Sequence, residues 1–295
     1  MVLVAISGSA ALKPLLAAID AKKDIALANK EALVMAGDLV MKRAKTKGVT
    51  IIPVDSEQSA IWQCLKSEER SDIEHIYLTA SGGPLKDITR TSLRNISLSR
   101  VLKHPRWSMG KKITVDSATM MNKGLELLEA MFLFNVPLKK VRIIIHPEAI
   151  VHSMVEFVDG VILAQLSATD MRIPIQYALS YPKRLTGKIP RLDFPALKTL
   201  HFEKPDFRKF PCLGLAVRSA EKLGTMPTVM NAANEVSVGE FLKHKLKFND
   251  IARVIERVMD RHRNITRPGL GEIFKADLWA RIEAVEFIKR SKLKC

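Results

Sequence analysis

Apolar residues follow two rhythms along the first fifty positions. Three short runs, 2–6 (VLVAI), 24–28 (DIALA) and 49–54 (VTIIPV), show no clean apolar–polar alternation, which suits strands buried on both faces of a parallel sheet. Between them, 10–21 and 31–46 space apolar residues three and four apart, as amphipathic helices do. The order β-α-β-α-β predicts half of a doubly wound, Rossmann-like sheet, and a half-sheet leaves an edge and a helical layer for another segment to cover.

From residue 57 the pattern is mixed. It predicts a helix near 57–67, a strand at 74–79, a polar helical stretch at 91–102, a long amphipathic helix over 118–134 and a strand at 141–146. In VHSMVEFVDGVILAQLS two alternating runs meet at Asp159-Gly160, a favoured dipeptide of tight hairpins. Prolines at 182, 190, 195, 205 and 211 interrupt a stretch without sustained periodicity, as in a linker. Amphipathic stretches near 213–223, 227–245, 249–263 and 276–290 predict a small helical bundle. The expected architecture is α/β: a partial parallel sheet over 1–55, an α+β domain over 56–181, a linker over 182–211 and a helical domain over 212–295.

Composition narrows the class. A chain of 295 residues, 47% apolar and 26% charged, is neither disordered nor fibrous and has room for about two domains. Cys64, Cys212 and Cys295 share no metal-ligand spacing, and a few scattered thiols suit a reducing compartment. The apolar start imitates a leader peptide, but it lacks a basic n-region and is broken at Lys13-Pro14, so neither a targeting segment nor a membrane helix is expected. The net charge of +16 is uneven: residues 182–295 carry 24 basic against 13 acidic side chains, a net +11. Such a surface steers anions, but without aromatic interleaving or a nucleic-acid motif it reads as a solvated helical face, and nucleic acid is not an expected partner.

Candidate chemistry gathers at strand ends. VDSEQSA sets Asp55 and Glu57 after an apolar strand, where ligands of α/β sheets collect; the two acids suit either helix capping or a shared Mg²⁺ or Mn²⁺. LTASGGPL ends in Ser81-Gly82-Gly83, a glycine turn or a place for backbone amides to approach an anion. In HPRWSMGKKITVDSATMMNKGLELLEA, Ser117 and Thr119 stand before a helix, while Asn122, Lys123 and Glu126 share one flank, so a phosphate there would meet a hydroxyl, an amide and an ammonium. His104 and Trp107 lie on a loop ahead of Met109-Gly110, suiting either a surface contact or a lid. His146 and His152, six apart, lack zinc-pair spacing and are expected to be structural, as the methionines are expected to pack. The 14 glycines nowhere spell GxGxxG or GxxxxGK[ST], an odd omission for a nucleotide sheet.

Six blocks, LANKEALV, VDSEQSAI, LTASGGPL, HPRWSMGKKITVDSATMMNKGLE, HPEAIVHSMVEFVDG and MNAANEVSV, resemble in order and spacing the 1-deoxy-D-xylulose 5-phosphate reductoisomerase family, across essentially the whole chain. The resemblance implies an NADPH- and divalent-metal-dependent enzyme (Mg²⁺ or Mn²⁺) that forms 2-C-methyl-D-erythritol 4-phosphate in non-mevalonate isoprenoid synthesis. It implies Asp55, Glu57 and Glu126 as metal ligands, and Ser56, Glu57, Ser81, His104, Ser117, Asn122, Lys123 and Glu126 around a small phosphorylated sugar. Lys30, Glu57 and His104 would act nearest the reacting atoms, Asn29, Glu31 and Gly110 would touch NADPH, and His104–Lys111 resembles a mobile lid. It also implies a homodimer, in bacterial cytoplasm or a plastid. Ala80, Ala149 and Thr169 depart from common family residues. The family's Gly-rich pyrophosphate cradle has no counterpart here, so residues 1–55 are expected to be the C-terminal part of the NADPH-binding domain and turnover by this chain to be weak, the alternative being a non-catalytic remnant that binds phosphorylated ligands.

Overall fold

The computed structural model describes residues 1–290; residue Cys295 and the end of the 212–295 segment lie outside them. Seven strands are described: β1 (Val2–Val4), β2 (Ile25–Leu27), β3 (Ile51–Pro53), β4 (Ile73–Ala80), β5 (Val141–Ile145), β6 (Val151–Phe157) and β7 (Ile162–Leu166). The helices are α1 (Leu12–Asp20), α2 (Glu31–Lys47), α3 (Ser56–Cys64), α4 (Leu98–Val101), α5 (Lys111–Ala118), α6 (Met121–Phe134), α7 (Arg172–Ser180), α8 (Phe194–Leu197), α9 (Pro211–Lys222), α10 (Met226–Leu242), α11 (Phe248–Arg261) and α12 (Leu270–Arg290). They fall into two compact units, the first made of Met1–Leu33, Gly37–Ser81 and Glu129–Pro205, the second of Val34–Ala36, Gly82–Leu128 and the chain from Asp206 onward.

In the first unit, β1, β2 and β3 form a parallel sheet in sequence order, with Leu27 opposite Pro53 at its carboxyl end. The unalternating apolar runs are explained by burial: every residue of β2 and β3 is buried. The expected cover comes from far along the chain, as Ala26, Ile52 and Val54 pack with Ala178, Ile175 and Met171 of the α7 region and with Trp62 of α3. A second, mixed sheet has the order β5-β4-β6-β7, with β4 parallel to β5 and antiparallel to β6. The hairpin expected at Asp159-Gly160 joins β6 to β7, Gly160 supplying the positive φ of 84° that the turn needs. Residues 182–210 hold little regular structure apart from α8, although Glu203 bridges to Ile145.

The second unit is helical. Helices α9 to α12 occupy the four stretches read as a bundle, α12 beginning six residues earlier than expected, at Leu270. The α11 repeat buries Ile251, Val254, Ile255 and Val258 at three- and four-residue spacing. Two expectations are corrected by local geometry. The helix expected over 118–134 is α6 and starts three residues later, at Met121, because Met120 has φ 62° and separates it from α5, which ends at Ala118. The polar stretch 91–102 holds only a 3-10 turn (Ser92–Asn95) and the four-residue α4, since only Leu93 and Val101 supply it with fully buried apolar anchors. No described helix is long and apolar enough to cross a membrane.

Candidate active site

In the first unit, the polar residues stand where β2 and β3 end, the carboxyl edge at which parallel sheets hold ligands. Asn29 ties this corner together: its Oδ1 accepts from the Ala32 N–H (2.8 Å), and its Nδ2 lies 2.8 Å from Ile6 O, 2.8 Å from Glu31 Oε2 and 3.1 Å from Gly8 O. Lys30, only 5% exposed, reaches Asp55 with Nζ 2.8 Å from Oδ2. Asp55 caps α3, its Oδ1 accepting from the Ser56 N–H at 3.1 Å, while the buried Oδ2 accepts no aligned hydrogen bond. The capping reading is met by Oδ1, which leaves Oδ2 for a ligand. Glu57 accepts from the Ser56 hydroxyl at 2.7 Å and brings a carboxylate oxygen within 4.8 Å of one from Asp55. Two hard oxygen donors, one committed to no aligned donor and beside a buried lysine, fit a divalent cation. Ser81 follows the end of β4.

In the second unit, His104 is held in one tautomer. Its Nδ1 accepts from the backbone N–H groups of Trp107 (2.9 Å) and Arg106 (3.2 Å), so its proton sits on Nε2 and is donated to Ser117 Oγ, 3.1 Å away. Burial pushes the imidazole down to about 4, so it is neutral at ordinary pH. Ser117 stands on the last turn of α5, and Gly83 approaches it so closely that a Cβ there would lie 2.6 Å from its carbonyl oxygen. Gly110 caps the start of α5 with open space beside its Cα.

Helix α6 carries Asn122, Lys123 and Glu126 on one flank, as their spacing implied. The Glu126 carboxylate is fully buried and accepts from both the Asn122 amide and the Lys123 ammonium. Glu126 is thus a buried carboxylate compensated by a lysine, an arrangement whose desolvation cost is offset only while the partner stays, and half-buried Asp55 has a lysine beside it in the first unit.

Two residues were not anticipated as supports. Asp116, 1% exposed, pairs with Lys112 at 2.8 Å and accepts from the Asn234 amide at 2.9 Å, fastening α5 to α10. The signal was Asn234 itself, a buried amide in the quoted MNAANEVSV block. His146 and His152 are structural as expected: His146 stacks on Phe202 with ring centroids 4.8 Å apart, and His152 lies 3.3 Å from Ser167 O. Of the family departures, Thr169 donates to the carbonyl of Ala149 at 3.3 Å, so these two unusual residues touch.

A parallel half-sheet with compensated acids at its carboxyl edge defines an α/β enzyme of polar, ionic ligands. Comparison with known proteins makes that particular. Three family models match: "1-deoxy-D-xylulose 5-phosphate reductoisomerase" over 1–37, its "C-terminal domain" over 51–134, and "DXP reductoisomerase C-terminal domain" over 166–283. The reductoisomerase of Pelotomaculum thermopropionicum is 52% identical over 98% of this chain and 75% of its own length, and that of Endomicrobium trichonymphae 53% over 98% and 74%. The solved Zymomonas mobilis reductoisomerase in complex with NADPH superposes with a TM-score of 0.91 at 45% identity, covering 98% of this chain and 75% of that one. A reductoisomerase in complex with NADPH, fosmidomycin and magnesium gives 0.94 at 42%, covering 99% and 76%. The chain belongs to the 1-deoxy-D-xylulose 5-phosphate reductoisomerase family, NADP-dependent oxidoreductases, and spans about three quarters of the length of these relatives.

Proposed function

We propose that this chain performs the NADPH-dependent reductive isomerisation of 1-deoxy-D-xylulose 5-phosphate to 2-C-methyl-D-erythritol 4-phosphate. The observation that carries the reading is the Asp55–Glu57 pair at the sheet edge, with a buried oxygen facing Lys30 and no aligned hydrogen bond. Asp55, Glu57 and Glu126 are assigned to one Mg²⁺ or Mn²⁺; a relative is solved in complex with NADPH, fosmidomycin and magnesium. When bound, the cation supplies charge stabilisation to the developing alkoxide and NADPH supplies the hydride.

The chain's own residues do the rest. Because His104 donates to Ser117, the Ser117 hydroxyl keeps its own proton for a phosphate oxygen, and Asn122 and Lys123 add an amide and an ammonium. Moving Lys123 onto a phosphate while Glu126 turns to a cation keeps the buried charge balanced. Ser56 and Ser81 are assigned to the sugar hydroxyls, Lys30 and Glu57 to positions beside the reacting carbons, and Asn29, Glu31 and Gly110 to NADPH. The loop His104–Lys111, with Trp107, is assigned to closure and the exclusion of water. Segment 1–55 would serve the cofactor, 56–181 the metal and substrate, and 182–211 would link to the helical 212–295.

The reading extends to a homodimer in bacterial cytoplasm. Strand β7 is a sheet edge, and Val161, Ile162 and Leu163 expose 50%, 48% and 39% of their surface there, an unprotected apolar edge that a second copy would cover. The relatives named above are bacterial.

The test of function is product analysis. With 1-deoxy-D-xylulose 5-phosphate, NADPH and Mg²⁺, NMR should detect 2-C-methyl-D-erythritol 4-phosphate in step with NADP⁺, and chelation should stop both. Fosmidomycin binding without NADPH consumption at any cofactor concentration would leave a phosphate-ligand-binding protein and reject the catalytic reading.

A further inference from the structure

Within the second unit lies a cavity of about 510 Å³ that the proposed chemistry does not use. Its mouth carries three exposed arginines, Arg90, Arg94 and Arg208, and among the described residues none of their guanidinium groups is in an ion pair or side-chain hydrogen bond. Its floor is apolar, built from Leu93, Phe210 and Phe248, which are 1%, 6% and 7% exposed. No acidic residue lines it among the described residues. Asp206, two residues before the third arginine, is committed to the backbone N–H groups of Arg208 (2.9 Å) and Lys209 (3.0 Å). A second cavity of about 350 Å³ shares Arg94 and Phe248 with the first and adds Lys247, again with no acid among its described lining.

Three unpaired guanidinium groups around one opening repel each other and gain most from a multiply charged anion, and their planar forks match phosphate oxygens. The apolar floor would remain wet and unsatisfied beneath a bare ion, so the complementary ligand has a hydrocarbon body below its charged head. The volume is that of a small-molecule site. We propose that this cavity is a second ligand site, for a small organic phosphate with an apolar body, separate from the site assigned to Ser117, Asn122 and Lys123. Its wall includes Thr119, whose hydroxyl donates to Asp116 O (3.1 Å) and accepts from the Met121 N–H (3.3 Å) in the turn between α5 and α6.

The test is calorimetric titration of the full chain with n-hexyl phosphate while Mg²⁺ and excess fosmidomycin occupy the first site. One molecule should bind per chain. Replacing both Arg94→Ala and Arg208→Ala should weaken binding at least about tenfold, as these exposed side chains can be removed with the fold retained. Inorganic phosphate and n-hexanol should each bind at least about tenfold more weakly than hexyl phosphate. Absence of binding, displacement by fosmidomycin, indifference to the double substitution, or equal affinity for inorganic phosphate would each overturn the proposal. If fosmidomycin itself fails to bind, the catalytic reading fails on that result, and hexyl phosphate binding that needs the arginines but survives Lys123→Gln still supports the second site.

Discussion

His104 shows how a single side chain is set by its neighbours. Two backbone N–H groups occupy Nδ1, so protonation requires giving them up, and burial already holds the group down to about 4 from an ordinary 6.5. Between those values the unfolded chain takes the proton before the folded one does. His104 therefore subtracts stability as pH falls from about 6.5 to about 4, and contributes nothing to pH dependence above that window. NMR of the ring protons should give a midpoint near 4, moving stability with it; a midpoint near 6.5 would contradict the buried, single-tautomer geometry. This tautomer was not legible in the sequence, because it depends on the turn at Arg106 and Trp107. Asp55 is the opposite case: a strand-to-helix junction suited either a cap or a ligand, and the structure shows the cap on Oδ1 while Oδ2 accepts no aligned hydrogen bond.

At the scale of elements, the informative feature is the interruption between α5 and α6. Periodicity starts the helix near 118 and not at Met121, since Met120 and Met121 both fit the apolar stripe and both are buried; a positive φ leaves no mark on such a pattern. Fastening of α5 to α10 by Asn234 and Asp116, and of α6 to α9 by the close approach of Gly124 to Ala216, holds the two helices in their separate directions. The glycine turn after β4 was legible as residues and ambiguous as purpose. Its purpose includes contact: Gly83 has φ 70°, and a Cβ would meet Ser117 O at 2.6 Å. Gly83→Ala should cost about 1–3 kcal/mol in urea unfolding and displace Ser117 enough to weaken fosmidomycin binding. A substitution neutral in both measurements would show that the approach is not needed.

For the whole molecule, the parallel half-sheet and the four C-terminal helices were legible because burial on both faces and 3.6-residue spacing are local signals. The mixed sheet was less so: β4 and β5 pair although residues 81–140 separate them, and no periodicity encodes so distant a partner. The cover supplied by α7 was foreseen as a need and not as a segment. The uneven charge also acquires a place, since some of it rims an apolar cavity. If β7 is the dimer edge, Ile162→Lys should convert the dimer to monomer in light scattering at unchanged helix content, and an unaltered mass would put the interface elsewhere.

The central proposal is that Asp55, Glu57 and Glu126 hold one divalent ion and that Lys123 holds the substrate phosphate. Calorimetric titration of fosmidomycin, with and without Mg²⁺, into the native chain and its Glu126→Gln variant tests it most directly. The account predicts tight binding only with Mg²⁺ in the native chain, and at least about tenfold weaker binding in the variant. Binding equally strong without a divalent ion, or unchanged by Glu126→Gln, would contradict it.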